Sequence, residues 1–166
     1  MLCIVKSLRE LPFGQLMEVY EESNLENGRE FWPDLSSGEQ ILRAEQDFYQ
    51  YFKEVFFPTD GAAYYLWEID GRPVSALRLE PYRDGLLLEA LETAPFHRRK
   101  GYASALIRAV LQTTRLKIYS HVGKRNFASL NTHLSCGFQR IGEQALYADG
   151  SVNDRCCTLL YNKTYE

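Results

Sequence analysis

The densest chemical signal in the chain is the run Arg98-Arg99-Lys100-Gly101-Tyr102-Ala103. The first backbone N–H groups of a helix have no intrahelical partner and lie at the positive end of its macrodipole. Gly101 and Ala103 are small enough to let an anion reach such amides, and Arg98, Arg99 and Lys100 add charge. The turn therefore suits a phosphate or pyrophosphate. A solvated basic helix start is the plainer account of the same residues. Just upstream, Glu89 and Glu92 stand in the apolar run Leu86–Thr93. Such a run strips water from a carboxylate and makes it a better proton acceptor. Pairing of Glu89 with Arg78 or Arg83 is the structural alternative. Being three residues apart, Glu89 and Glu92 would face opposite sides of a regular strand.

Holding these groups requires a strand, a turn and a helix. Leu86–Thr93 has strand length, and Tyr102, Ala105, Leu106, Ala109 and Val110 repeat at helical spacing. Pro95 divides the two periods and disfavours helix at Ala94.

This order resembles the acyl-CoA-binding core of the GNAT N-acetyltransferase superfamily. Its Arg/Gln-x-x-Gly-x-Gly/Ala signature is matched by Arg98, Gly101 and Ala103, and its upstream proline by Pro95, with His97 where an aromatic is common. A second pattern follows in register. Val122 to Asn126 fits V-x-x-x-N, and Asn126 through Gly137-Phe138 fits N-x-x-(A/S)-x(7)-G-F with Ser129 at the small position. The resemblance implies an α/β fold: a mixed, mostly antiparallel sheet of about seven strands with about four helices. It also implies an acyl-CoA cleft between splayed strands 86–93 and 116–122.

Acetyl transfer from a thioester to an amine needs a neutral amine, a polarised carbonyl, contact between the two and a protonated leaving thiolate. The resemblance places the polarising backbone N–H near Leu91, with pantetheine pairing around Leu91 and Thr93. It extends the co-substrate site over Leu91, Glu92, Thr93, Arg98, Arg99, Lys100, Gly101, Tyr102, Ala103, Ser104 and Asn126. Glu89 falls where many members carry a base, and Glu92 is the second choice. The family's tyrosine acid, five residues before the Gly-Phe pair, is replaced by His133, whose imidazole suits proton donation near neutrality. His97 and His121 read as structural or ligand-edge residues. The implied co-substrate is acetyl-CoA, with no metal, and the implied acceptor is a small-molecule or peptide amine. Loss of the tyrosine leaves a catalytically silent CoA-binding sensor or interaction domain as the alternative.

At 166 residues, with 45% hydrophobic and 25% charged content, the chain reads as one domain over 1–166. A formal charge of −3 argues against bulk nucleic-acid binding. No apolar run reaches the ~20 residues of a membrane span, and the N-terminus lacks a signal-peptide pattern. A cytoplasmic location, no membrane partner and an open question of homodimerisation follow. Cys3, Cys136, Cys156 and Cys157 show neither disulfide nor zinc spacing.

Along the chain, residues 2–6 read as a strand and 12–22 as a helix. Asn24 to Pro33 reads as a polar loop carrying Phe31-Trp32, a loop anchor or an acceptor wall. Ser36 with Glu39 opens a second helix to about Phe56, its face marked by Ile41, Phe48, Phe52 and Val55. Strands 62–69, 74–79 and 86–93 form a meander with Asp70-Gly71 as one turn. A helix over 102–113 crosses to strand 116–122, parallel to 86–93. A helix over 126–136 and a closing hairpin around Asp149-Gly150 complete the chain.

Overall fold

A computed structural model describes residues 1–163. Seven strands form one sheet in the order β1 (Leu2–Val5), β2 (Ala63–Ile69), β3 (Arg72–Tyr82), β4 (Gly85–Thr93), β5 (Lys117–Gly123), β9 (Cys156–Tyr161) and β6 (Gln139–Gly142). Among the described residues only β4 and β5 run parallel. Between β6 and β9, β7 (Ala145–Leu146) and β8 (Val152–Asn153) pair as a separate ribbon around Asp149-Gly150. Five helices accompany them: α1 (Phe13–Val19), α2 (Glu21–Phe31), α3 (Ser37–Tyr51), α4 (Tyr102–Leu111) and α5 (Phe127–Ser135). The architecture is the expected mixed sheet with one more helix.

Alternation along the strands divides the core in two. Leu77, Leu79, Leu88, Ile118, Val122 and Leu159 meet α4 and α5 through Leu106, Ile107, Val110 and Leu130. Tyr64, Leu66 and Ala76 meet Leu16, Val19, Tyr20, Phe52 and Phe56 on the other face. The four buried side chains of α4 lie on one stripe, and each is worth about 1.5–3 kcal/mol of burial. That stripe fixes the helix, and hence the turn before it, against the sheet.

Two readings of the N-terminal half need correction. The expected loop from Asn24 is helical as far as Phe31, because α2 packs on α3 through a glycine. A Cβ at Gly28 would stand 2.6 Å from Gln40 Cβ, so only glycine permits this approach. The buried side of α3 runs through Gln40 and Ala44 rather than Ile41. A wide turn over Phe52–Phe56 then buries Phe52 and Phe56 and leaves Val55 exposed. The capping box of Ser36 and Glu39 is formed as its sequence indicates.

Candidate active site

β4 pairs with β5 from Gly85↔Lys117 to Leu88↔Ser120 and no further. Beyond that point β5 has β9 as its partner, and β4 has only β3. The two parallel strands thus part into a wedge whose vertex is Leu88 and Ser120.

A bulge lies at the start of the free part of β4. Arg78 faces Glu89 and Ala76 faces Glu92, so two steps on β3 span three on β4. Ala90 takes φ 52 to accommodate the extra residue, a conformation costing about 1–2 kcal/mol without glycine. Tyr20, fully buried, holds it there: its hydroxyl donates to the Ala90 carbonyl at 2.6 Å and accepts from Tyr64 at 2.9 Å. The bulge overturns the expectation that Glu89 and Glu92 face opposite sides, because its extra residue restores them to one face. It also sets which backbone groups are free. The Glu92 carbonyl accepts from Ser75 Oγ at 2.8 Å, and the Ala94 N–H donates to Val74 at 2.9 Å, so both face β3. Alternation then turns the amides of Leu91 and Thr93 into the gap.

From this gap a cleft of about 710 Å³ runs to the N-terminus of α4. Leu91, Glu92, Thr93, Arg98, Arg99, Gly101, Tyr102, Ala103, Ser104 and Asn126 all line it. Lys100 is exposed and is not part of the wall. Gly101 caps α4 at φ 80, and no side chain caps the helix, which leaves its first amides open to the cleft. Open space surrounds a Cβ built at Gly101, so this glycine serves backbone conformation rather than clearance. Arg98 bridges two elements: its Nε donates to the Thr93 carbonyl at 3.2 Å and its terminal nitrogen pairs with Glu22 of α2. Asn126 caps α5, with Oδ1 accepting from the Ser129 N–H at 3.1 Å.

The carboxylates differ in their surroundings. Glu92 lies in the cleft beside Glu22, Ser23 and Glu26. Burial pushes its carboxyl up to about 6, helped by Glu22 and Glu26 and opposed by Ser23 and Arg98. Its Oε2 is buried without a partner. Glu89 instead accepts from Arg78 Nε at 3.2 Å, the pairing weighed against a catalytic role. Burial and a hydrogen bond to Glu89 push the neighbouring Glu80 up to about 7.

His133 stands behind the vertex, on the α5 side of the sheet. It is 1% exposed, with Nε2 3.0 Å from Ser120 Oγ and Nδ1 donating to the Ser129 carbonyl at 2.8 Å. Burial lowers its pKa. Nδ1 is satisfied, and Nε2 meets a hydroxyl that also has the Leu88 carbonyl as an acceptor at 3.2 Å; neither His133 nor His121 is among the residues lining the cleft. Sequence reasoning missed Tyr20, Glu22, Ser23 and Glu26. Glu22 ends the helix expected over 12–22 and Glu26 falls in the loop expected from Asn24, although the two stand four apart, as on one face of a helix.

A sheet parted between parallel strands, with free strand amides leading to an uncapped helix start, is built for an extended anionic co-substrate. The sequence matches the Acetyltransferase (GNAT) family over residues 17–138, and the chain belongs to that family of acyltransferases. Solved structures share the fold. The PaiA N-acetyltransferase of Thermoplasma acidophilum, in complex with coenzyme A, is 14% identical and superposes with a TM-score of 0.65 over 98% of this chain and 99% of that one. The spermidine N-acetyltransferase of Vibrio cholerae, in complex with CoA and spermine, is 17% identical, with a TM-score of 0.62 over 96% and 94%. A probable acetyltransferase of Staphylococcus epidermidis is 13% identical, with a TM-score of 0.65 over 99% of each chain. No curated protein matches this chain in sequence.

Proposed function

We propose that the protein transfers the acetyl group of acetyl-CoA to a primary amine by direct attack in a ternary complex. The observation that carries this reading is the wedge: free amides at Leu91 and Thr93 lead from its vertex to the open N-terminus of α4. The turn at 98–103 offers the pyrophosphate backbone amides and Arg98. The β4 edge offers hydrogen bonds to a pantetheine arm. The Leu91 N–H then points where a thioester oxygen gains charge, and donors of this kind typically contribute about 3–4 kcal/mol to the transition state.

The acceptor enters from the face covered by α1 to α3. Glu22, Glu26 and Glu92 make that side of the cleft acidic, which favours a cationic amine. The fold shared with a spermidine acetyltransferase makes polyamines a natural first group to try. Glu92, ionised above its value of about 6, would hold an incoming ammonium near neutral pH.

Acetyl-CoA titration should give saturable binding, and CoA release should be seen with one or more amines among polyamines, amino acids, aminoglycosides and peptide N-termini. A folded protein that binds no acetyl-CoA would contradict the reading. Binding without turnover on any amine would leave a CoA-binding domain.

A further inference from the structure

The register of the wedge brings together two residues whose joint position the sequence did not reveal. Leu88↔Ser120 is the last β4–β5 pair. Glu89 and His121 are the next residues on their strands, so they are the first to stand apart, and in parallel strands in register they project to the same face. That face is opposite the one where Ser120 meets His133. Glu89 and His121 therefore flank the vertex on its α1–α3 side.

The hydrogen bonds of His121 fix its tautomer. Thr158 Oγ donates its single proton to the Gln144 carbonyl at 2.7 Å. It must therefore accept at its 2.9 Å contact with His121 Nδ1, which places the imidazole proton on Nδ1. Nε2 is left with a bare lone pair, and it is buried without a hydrogen-bond partner. The ring is fixed edge-on between Tyr82, at 5.5 Å, and Tyr147, at 5.2 Å. An oriented imidazole with one nitrogen anchored and the other unused is the arrangement a proton acceptor needs.

The geometry points to His121 as the general base of the transfer, with Nε2 accepting the proton of the acceptor ammonium at the vertex of the wedge. This rests on the acetyltransferase reading above. A primary ammonium gives one proton to Nε2 and becomes a neutral amine. Its lone pair forms the N–C bond as the carbonyl π pair moves to the oxygen facing the Leu91 N–H. When the tetrahedral centre collapses, the C–S bond breaks, and the second amine proton goes to the departing thiolate. The products are an N-acetyl amine and CoA thiol, and the proton on His121 returns to solvent.

The surroundings suit this role. Burial lowers the His121 pKa; Glu89 on β4 and the Leu146 carbonyl oppose that shift, and Arg83 in the β3–β4 turn reinforces it. Tyr82 on β3, Tyr147 after β7 and Thr158 on β9 complete the groups around the ring. The imidazole is thus neutral and ready to accept at neutral pH. Glu89, paired with Arg78, then acts as the carboxylate that steadies the imidazolium once formed.

The test is His121→Gln, assayed against the wild type on an amine that turns over. Its kcat/KM for the amine should fall about 10²–10⁴-fold while acetyl-CoA affinity changes by less than about twofold. The acidic limb of the wild-type pH profile should vanish, and added imidazole should restore part of the rate in His121→Ala. Thr158→Val, which removes the acceptor for Nδ1–H, should lose less. Nitrogen NMR on the free protein should show the Nδ1–H tautomer of His121. A folded His121→Gln that turns over within about threefold of the wild type with the same acidic limb would overturn the assignment alone. Finding the proton on Nε2 would do the same. A wild type inactive on every amine would overturn both the assignment and the acetyltransferase reading.

Discussion

The two faces of one vertex carry two histidines with opposite accounts. On the α5 side, His133 is sealed, with Nδ1 on the Ser129 carbonyl and Nε2 against Ser120 Oγ. On the other side, His121 has one nitrogen anchored and one orphaned. Burial lowers both pKa values, so desolvation alone does not separate them. What separates them is the hydrogen-bond ledger. A buried polar atom left unpaired costs about 1–3 kcal/mol, a cost carried at His121 Nε2 and not at His133. His133 instead joins elements, β5 to α5, through Ser120 and Ser129.

The sharpest way to break this contrast is His133→Ala. Removing a sealed imidazole leaves a cavity and strips Ser120 Oγ and the Ser129 carbonyl of a partner, so stability should fall by about 2–4 kcal/mol. Urea unfolding checks this, and any loss of turnover should follow the loss of folded protein. A variant as stable as the wild type but slow in turnover would return His133 to the role of acid.

A smaller effect is expected with pH. His133 binds a proton less readily in the folded protein than in the unfolded chain, where the value is about 6.5. Its contribution to stability is therefore complete above about pH 6.5 and is lost as pH falls through the lowered native value. Glu80 and Glu92, with raised values of about 7 and 6, act in the opposite sense and gain stability on acidification. The informative quantity is thus the difference between the wild type and His133→Gln. Between pH 7.5 and pH 5 the thermal midpoint of the variant should fall less than that of the wild type.

The smallest change in stability should come from Arg98→Ala. Its pair with Glu22 is half exposed, and such pairs contribute about 0–1 kcal/mol. The same substitution should weaken acetyl-CoA binding and leave saturated turnover largely intact, as expected for an interaction equal in ground and transition states. Calorimetry and steady-state kinetics on one preparation read both. Strong destabilisation would make Arg98 a strut between α2 and β4 rather than a ligand residue.

What could be read from the sequence was what depends on neighbours in the chain. The turn at 98–103 and the helix after it follow from Pro95, Gly101 and the spacing of Leu106 and Val110, all within one short window. The cap at Ser36 and the β2–β3 hairpin are local in the same way. The helix over Glu21–Phe31 was missed because its burial depends on Gly28 meeting Gln40, a contact no local pattern encodes. The bulge at Ala90 was hidden for a related reason. Alanine gives no hint of a positive φ, and the residue that holds it, Tyr20, lies 70 positions away. The orphaned nitrogen of His121 was not legible in the sequence, because it is a property of packing and not of residue type.

The position of β9 has a consequence for how the protein is made. It is the last of the described strands, yet it lies between β5 and β6. During synthesis β1 to β4 can assemble as soon as they emerge. β5 can meet β4 over only the four pairs before the vertex, and its remaining edge waits for residues 156–161. At about 5–20 residues per second, the interval between β5 and β9 lasts roughly two to eight seconds. Throughout it, an apolar strand edge stands unpaired beside an open wedge. The vertex of the wedge is therefore among the last parts to close, and it is the place where a chaperone or an aggregating neighbour would first find the nascent chain.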